Sequence, residues 1–206
     1  MRPHNLRNLD QFEEYFTKTI AMSQDVKTGV SKYMSYLLRH NPEDLKMDNE
    51  GFIQLDELLS KVKTRYPVAD RKLLMSIVQE SDKKRFEIMD GKMRALYGHT
   101  IDVNVNLRED KNVMVLYHGT TLQAACGIMK TGLKPMKRKW VHLSPTKDSA
   151  FEVGKRRTET PVILAIDVLK ARINGMKFYK VTDKVYLCQC VPAKYIRVCT
   201  MRTWEN

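Results

Sequence analysis

The chain has 206 residues, 43% of them hydrophobic and 29% charged, and a net charge of +12 at neutral pH. That length suits one large domain or two lobes of about 100 residues each, and no run approaches the roughly 20 uncharged apolar residues that cross a bilayer. The start Met1-Arg2-Pro3-His4-Asn5 lacks the apolar core of a secretory signal, and Cys126, Cys188, Cys190 and Cys199 lack the C-x-x-C spacing of a zinc site, so a cytoplasmic protein with reduced thiols and no metal is expected.

In chain order, residues 1–30 read as an extension, either an accessory helix, with a candidate over Leu9 to Ala21, or a flexible arm. Ser31 to His40 places Met34, Leu37 and Leu38 at helical spacing before Pro42 ends the run. Two further helices are predicted over Asp56 to Tyr66 and Asp70 to Gln79, each opened by an acidic residue that suits a helix N-terminus. The period then changes to two. Arg85 to Met89 and Lys92 to Tyr97 alternate around Asp90-Gly91, a strong hairpin signal. Three helices and a hairpin suggest a winged helix-turn-helix lobe over residues 31–105.

The polar stretch Asn104 to Asn112 is the best boundary. Residues 1–110 hold 18 basic and 18 acidic side chains and residues 111–206 hold 18 and 6, so the whole positive excess lies in the second half. Such a surface suits nucleic acid or a nucleotide pyrophosphate. Strand-like runs dominate there: Val113 to Tyr117, Val141 to Leu143, Val162 to Asp167, Val185 to Cys190 and Tyr195 to Cys199. Leu122 to Lys130 reads as a short helix stopped by Gly132. On the strand through Cys188 and Cys190, the two thiols would share a face. The order is not a regular βα alternation, so an α+β class with a mixed or antiparallel sheet over residues 112–206 is predicted. There is no G-x-G-x-x-G and no Walker loop.

Five segments hold the residues best able to do chemistry. Arg39-His40 closes a helix, where capping of the dipole is the competing use. Arg94 points away from Met93 and Ala95 on its strand, toward a neighbouring lobe or toward solvent. Tyr117-His118-Gly119-Thr120 falls where a strand meets a helix start, offering imidazole, hydroxyl and unpaired N–H groups to a phosphate. In Val141-His142-Leu143-Ser144, His142 and Ser144 share one face while Val141 and Leu143 fill the core behind. Lys155-Arg156-Arg157 is either a solvated run or a bidentate phosphate clamp.

In their order and spacing these segments resemble the RNA 2'-phosphotransferase family, from about Ser31 to Arg197. The likeness rests on Leu37 to Pro42, Gly51-Phe52, Arg85 to Ile88, Arg94-Ala95 with Gly98-His99, Tyr117 to Thr120, Val141 to Ser144, Val153-Gly154 and Val191-Pro192. It implies a winged-helix RNA-binding lobe followed by an ADP-ribosyltransferase-like lobe with a split sheet. The implied enzyme is an NAD-dependent transferase acting, as a monomer, on RNA with an internal 2'-phosphate, transfer RNA above all. The phosphate attacks the nicotinamide-bearing ribose carbon of NAD, which is consumed, and nicotinamide leaves. The adjacent ribose hydroxyl then attacks phosphorus, freeing the RNA 2'-OH and forming ADP-ribose 1'',2''-cyclic phosphate.

By the same resemblance Arg39, His40, Arg94 and Arg156 are the catalytic set, with Arg157 the alternative to Arg156 because one extra residue precedes Pro161. His118, Gly119, Thr120, Arg138, His142 and Ser144 would bind NAD. Two other functions are open: an ADP-ribosyltransferase modifying phosphorylated nucleic-acid ends or protein, and a non-enzymatic winged-helix nucleic-acid-binding protein. Many protein-modifying transferases carry a glutamate on a late strand, whereas the stretch between Glu159 and Glu205 has none and reads Asp183-Lys184-Val185-Tyr186-Leu187 at the corresponding place.

Overall fold

A computed structural model of the chain describes residues 9–80 and 84–199, with side chains from residue 23 onward. The first element, α1, runs unbroken over Leu9–Arg39, so the two helices expected on either side of residues 22–30 are one. Gly29, a poor helix former, lies within this helix against the Tyr66 ring, whose hydroxyl lies 2.7 Å from where a Cβ would stand. Val30, Met34, Leu37 and Leu38 recur at helical spacing and are fully buried.

Around this face pack α2 (Leu55–Arg65) and α3 (Arg71–Gln79), the latter capped by Asp70, whose carboxylate accepts from the Leu73 N–H. A small antiparallel sheet completes the first core. Its strands β1 (Ile53–Gln54), β2 (Phe86–Met89) and β3 (Lys92–Ala95) lie in the order β1-β3-β2. The turn between β2 and β3 has positive φ at both Asp90 (50°) and Gly91 (73°), the conformation a two-residue hairpin needs.

A second hydrophobic core, which shares no residue with the first, gathers side chains from Leu116 to Ile196. It lies between two antiparallel sheets and three helices. One sheet has the order β10 (Ile196–Val198), β7 (Val162–Asp167), β5 (Val115–Thr120), and the other β4 (Arg108–Glu109), β8 (Tyr179–Thr182), β9 (Val185–Cys188), β6 (Val141–Leu143). The sheets meet at one bridge, where Tyr117 and Ser144 exchange both backbone hydrogen bonds at 2.8 Å. The helices are α4 (Leu122–Thr131), α5 (Lys147–Gly154) and α6 (Val168–Ile173), with a short 3-10 turn over Ala193–Tyr195.

The expected α+β class is therefore met, with antiparallel pairing in each named sheet. The sequence reading missed β1, β4, β8, α5 and α6, and β4 lies within the stretch read as the boundary. One expectation is corrected: Cys188 and Cys190 do not share a face, because β9 ends at Cys188, which is buried while Cys190 is exposed. Burial pushes the Cys188 thiol up to about 12, so it is an inert core thiol. Among the described residues no helix is long and apolar enough to cross a membrane, and no His/Cys/Asp/Glu group could hold a metal ion.

Candidate active site

The segment between the two cores, residues 96–104, positions the site by binding to both sides. The Thr100 N–H donates to the last carbonyl of α1, on Arg39, at 2.9 Å, and the Asn104 N–H donates to Asn49. From the other side the Lys139 N–H donates to the His99 carbonyl at 3.3 Å, and the Lys139 ammonium pairs with Asp102 at 2.6 Å. Thr100, not a cation, thus satisfies the end of α1. The Arg39 side chain is left for another use.

That side chain lies between two aromatic rings, 5.0 Å from the Tyr97 centroid and 5.8 Å from that of Phe86, and hydrogen-bonds the Tyr97 phenol. Its Nε and Nη2 are nonetheless buried without a partner. Desolvation, reinforced by Arg85 and Arg138, lowers its pKa to about 10, still fully protonated near neutrality. A buried guanidinium with two orphan donors among other cations is costly to fold. The natural remedy is an anion with several oxygens.

The neighbouring cations arrive from separate elements. Arg138 comes from the loop before β6. Partial desolvation and then Arg157 and Arg156, from the turn after α5, lower its pKa, although the residue as a whole is exposed. Arg85 precedes β2 and acts on both Arg39 and Tyr97. His40 is exposed, with Nδ1 3.1 Å from the Thr100 hydroxyl, and desolvation followed by Arg39 and Arg138 depresses its pKa. Besides Arg138, whose pKa both lower, Arg156 acts on Tyr97 and Arg157 on His118.

Arg94 is anchored differently from these cations. Directly opposite Glu87 in the sheet register, it is gripped by that carboxylate through Nε (2.8 Å) and Nη2 (2.7 Å), and it stacks on Phe52 at 4.3 Å. Its charge reaches the site through His99, whose pKa falls to about 4 by burial first and then by Arg39, His40, Arg94 and Lys139. Tyr97 was not singled out from sequence, and Arg85 and His99 stood in segments of the family likeness without an assigned role. The signal that marked Arg85 was its place in the Arg85-to-Ile88 segment, where strand alternation gave no reason to prefer it over Arg94.

Beside the cations lies a polar wall with the opposite hydrogen-bonding character. His118, in the last turn of sequence before Thr120 on β5, donates from Nδ1 to the His142 carbonyl at 3.1 Å, and His142 donates from Nδ1 to the Trp140 carbonyl at 3.0 Å. A neutral imidazole bonded this way presents Nε2 as an acceptor. In His142 that Nε2 is buried and unpartnered, and the ring stands edge-on to Tyr97 at 6.0 Å. Burial, then Arg138, drives the His142 pKa to about 3, while burial leads the depression at His118. Thr120 and Ser144 are buried beside them. Val141 and Leu143 fill the core behind, as their alternation with His142 requires.

Gly119 serves a different closeness from the one its motif suggested. A Cβ there would fall 1.8 Å from the Ala150 carbonyl oxygen, so the missing side chain lets α5 lie against β5. That contact carries the end of α5, with Arg156 and Arg157, to the mouth of the site. Asp183, the acidic residue at the late-strand position, is instead at the exposed β8–β9 turn, paired with Lys180 at 2.9 Å.

A cluster of anion-seeking guanidiniums joined to acceptor histidines agrees with what comparison of the whole sequence finds: residues 23–190 match the family described as RNA 2'-phosphotransferase, Tpt1 / KptA family. The chain belongs to the RNA 2'-phosphotransferase family. It is 40% identical over 176 residues to a protein of Pyrococcus abyssi named "Probable RNA 2'-phosphotransferase", covering 84% of this chain and 96% of that one. Similarity extends to bacteria. A protein of the same name in Flavobacterium johnsoniae is 40% identical over 179 residues, 85% of this chain and 98% of its own length. Another in Acetivibrio thermocellus is 41% identical over 172 residues, 82% and 94% of the two chains. Membership makes this chain kin to transferases acting on RNA phosphate, and phosphate is what the unpartnered nitrogens of Arg39 are suited to receive.

Proposed function

We propose that this protein is an NAD-dependent RNA 2'-phosphotransferase whose acceptor is an internal 2'-phosphate, as at a transfer RNA splice junction. The observation that carries the reading is the pair of buried, unpartnered donors of Arg39, set among Arg85, Arg138 and Arg156 and adjoining the unpartnered acceptor of His142. One ligand that is both phosphorylated and rich in hydroxyl and amide donors would satisfy both walls. NAD, as co-substrate, would supply the electrophilic ribose carbon and lie against His118, Thr120, His142 and Ser144, with Arg138 reaching its phosphates.

In this reading the guanidiniums of Arg39, Arg85 and Arg156 orient the 2'-phosphate for attack and stabilise the charge that grows on its oxygens when phosphorus is attacked in turn. Arg156 is preferred to Arg157 because its charge falls on Tyr97, beside Arg39. His40, neutral near pH 7 and held at Nδ1 by Thr100, is the group able to move a proton at the departing RNA 2'-oxygen. Arg94, held by Glu87, adds its charge at His99 beside Arg39 and His40 and is kept with them as a candidate for the same stabilisation. The topology of α1 to β3 is compatible with a winged-helix RNA-binding lobe over residues 31–105. The two sheets joined at Tyr117–Ser144 are compatible with an ADP-ribosyltransferase-like lobe over residues 112–206.

The test is incubation with NAD and a short RNA bearing one internal 2'-phosphate, with products identified by mass. Dephosphorylated RNA, nicotinamide and ADP-ribose 1'',2''-cyclic phosphate in equal amounts are expected. A stable ADP-ribose adduct as sole product would point instead to an ADP-ribosyltransferase, and RNA binding with no nicotinamide release to a non-enzymatic RNA-binding protein.

A further inference from the structure

Beside the arginine cluster, on the side of the first core, a groove of about 410 Å³ opens between α1 and α3. Its long wall is a single stripe of α1. Gln24, Lys27, Thr28, Ser31 and Lys32 lie at spacings of three and four residues, so their side chains follow one another for about 12 Å along the helix. The stripe has donors throughout: two ammoniums, two hydroxyls and an amide. Glu80, which follows α3, closes the opposite wall and neutralises Lys27 at 2.5 Å. Lys32 is exposed and makes no ion pair among the described residues. At the far end stands Arg85, the same residue whose charge acts on Arg39 and Tyr97.

One guanidinium therefore belongs to both places. We propose that this groove receives the RNA strand next to the 2'-phosphorylated nucleotide, with Lys32 and Arg85 on backbone phosphates and Ser31, Thr28 and Gln24 on phosphate or ribose oxygens. The inference rests on the proposed RNA substrate. It adds where the chain of that substrate runs. A cleft of about 660 Å³ between β4 and the β8–β9 turn is larger, but Glu109, Asp110 and Asp183 line it among its cations, which disfavours a polyanion. Contacts of the α1 stripe read phosphate and sugar, not base edges, so they position RNA without choosing its sequence.

The test compares wild type, Lys32→Glu and, as a charge control on the distant helix α4, Lys130→Glu. Fluorescence anisotropy with an unphosphorylated 12-nucleotide RNA measures binding, and turnover is measured with a 2'-phosphorylated 12-mer and a 2'-phosphorylated dinucleotide. For Lys32→Glu, binding of the 12-mer should weaken about tenfold, the slope of log affinity against log salt should fall by about 0.7 to 1.4 as one or two phosphate contacts are lost, and KM should rise far more for the 12-mer than for the dinucleotide. Lys130→Glu should behave as wild type. Equal 12-mer affinity in wild type and Lys32→Glu overturns the groove, as does a loss equal for both RNA lengths. If wild type binds RNA but turns over neither substrate, the enzymatic reading fails while the binding data still decide the groove.

Discussion

Arg39 stacks against Tyr97 at 5.0 Å and hydrogen-bonds its phenol, yet keeps two buried nitrogens without partners. Tyr97 in turn meets His142 edge-on at 6.0 Å. The tyrosine thus touches both the cationic wall and the acceptor wall. Arg39→Lys, which keeps the charge but loses the planar fork, should lower turnover about 100-fold. Tyr97→Phe, which keeps the ring, should cost only about tenfold. Single-turnover release of the RNA 2'-phosphate under NAD saturation measures both.

Arg85 and Arg94 should separate by phenotype. Arg85→Ala is expected to cut turnover about 100-fold with little change in Tm, because its charge falls on Arg39 and Tyr97. Arg94→Ala strands Glu87 and removes the stack on Phe52. With the Arg94 side chain only 11% exposed but Glu87 38% exposed, the loss should be about 1–2 kcal/mol, a fall in Tm of roughly 4 °C. Thermal denaturation and turnover on the same preparations tell them apart, and the opposite pattern would return Arg94 to the reacting centre.

Acid should destabilise the protein above the range in which carboxylates titrate. His99 and His142 are depressed from 6.5 to about 4 and about 3, mainly by burial. Between those values and pH 6.5 the unfolded chain binds more protons than the folded one, so stability is complete above pH 6.5 and declines as pH falls through the window. Each histidine contributes a slope of about 1.4 kcal/mol per pH unit. Denaturant titrations from pH 7 to 4.5 should show this decline, and His99→Gln should remove one proton from the linkage.

Gly119→Ala should damage the fold before the chemistry. The new Cβ would meet the backbone oxygen of Ala150 at 1.8 Å, which no side-chain rotation relieves. Displacing α5 should cost about 3 kcal/mol, lowering Tm by roughly 6 to 12 °C. Activity lost at unchanged Tm would instead assign Gly119 to ligand contact.

Local pattern was enough for much of this molecule. The hairpin around Asp90-Gly91, the helix capped by Asp70, the helix with Asp56 in its first turn, which starts one residue earlier than expected, and β6 and β7 were legible because backbone geometry and one-sided burial leave periodic marks in sequence. The continuity of α1 was not, since no local pattern joined the two helical runs across residues 22–30, where Gly29 lies against the distant Tyr66. The motifs around Arg39, His118, His142 and Arg156 could be found one by one, and their family order implied a reaction. Charge sums could not rank the arginines. Arg85 precedes and Arg94 lies within the same hairpin, and the cross-strand register placing Arg94 opposite Glu87 pairs one while the other acts on Arg39. Sequence thus determined which groups are available and on which elements. Tertiary structure decided which cations stay unneutralised, because pairing and desolvation depend on neighbours that the folded chain alone brings together.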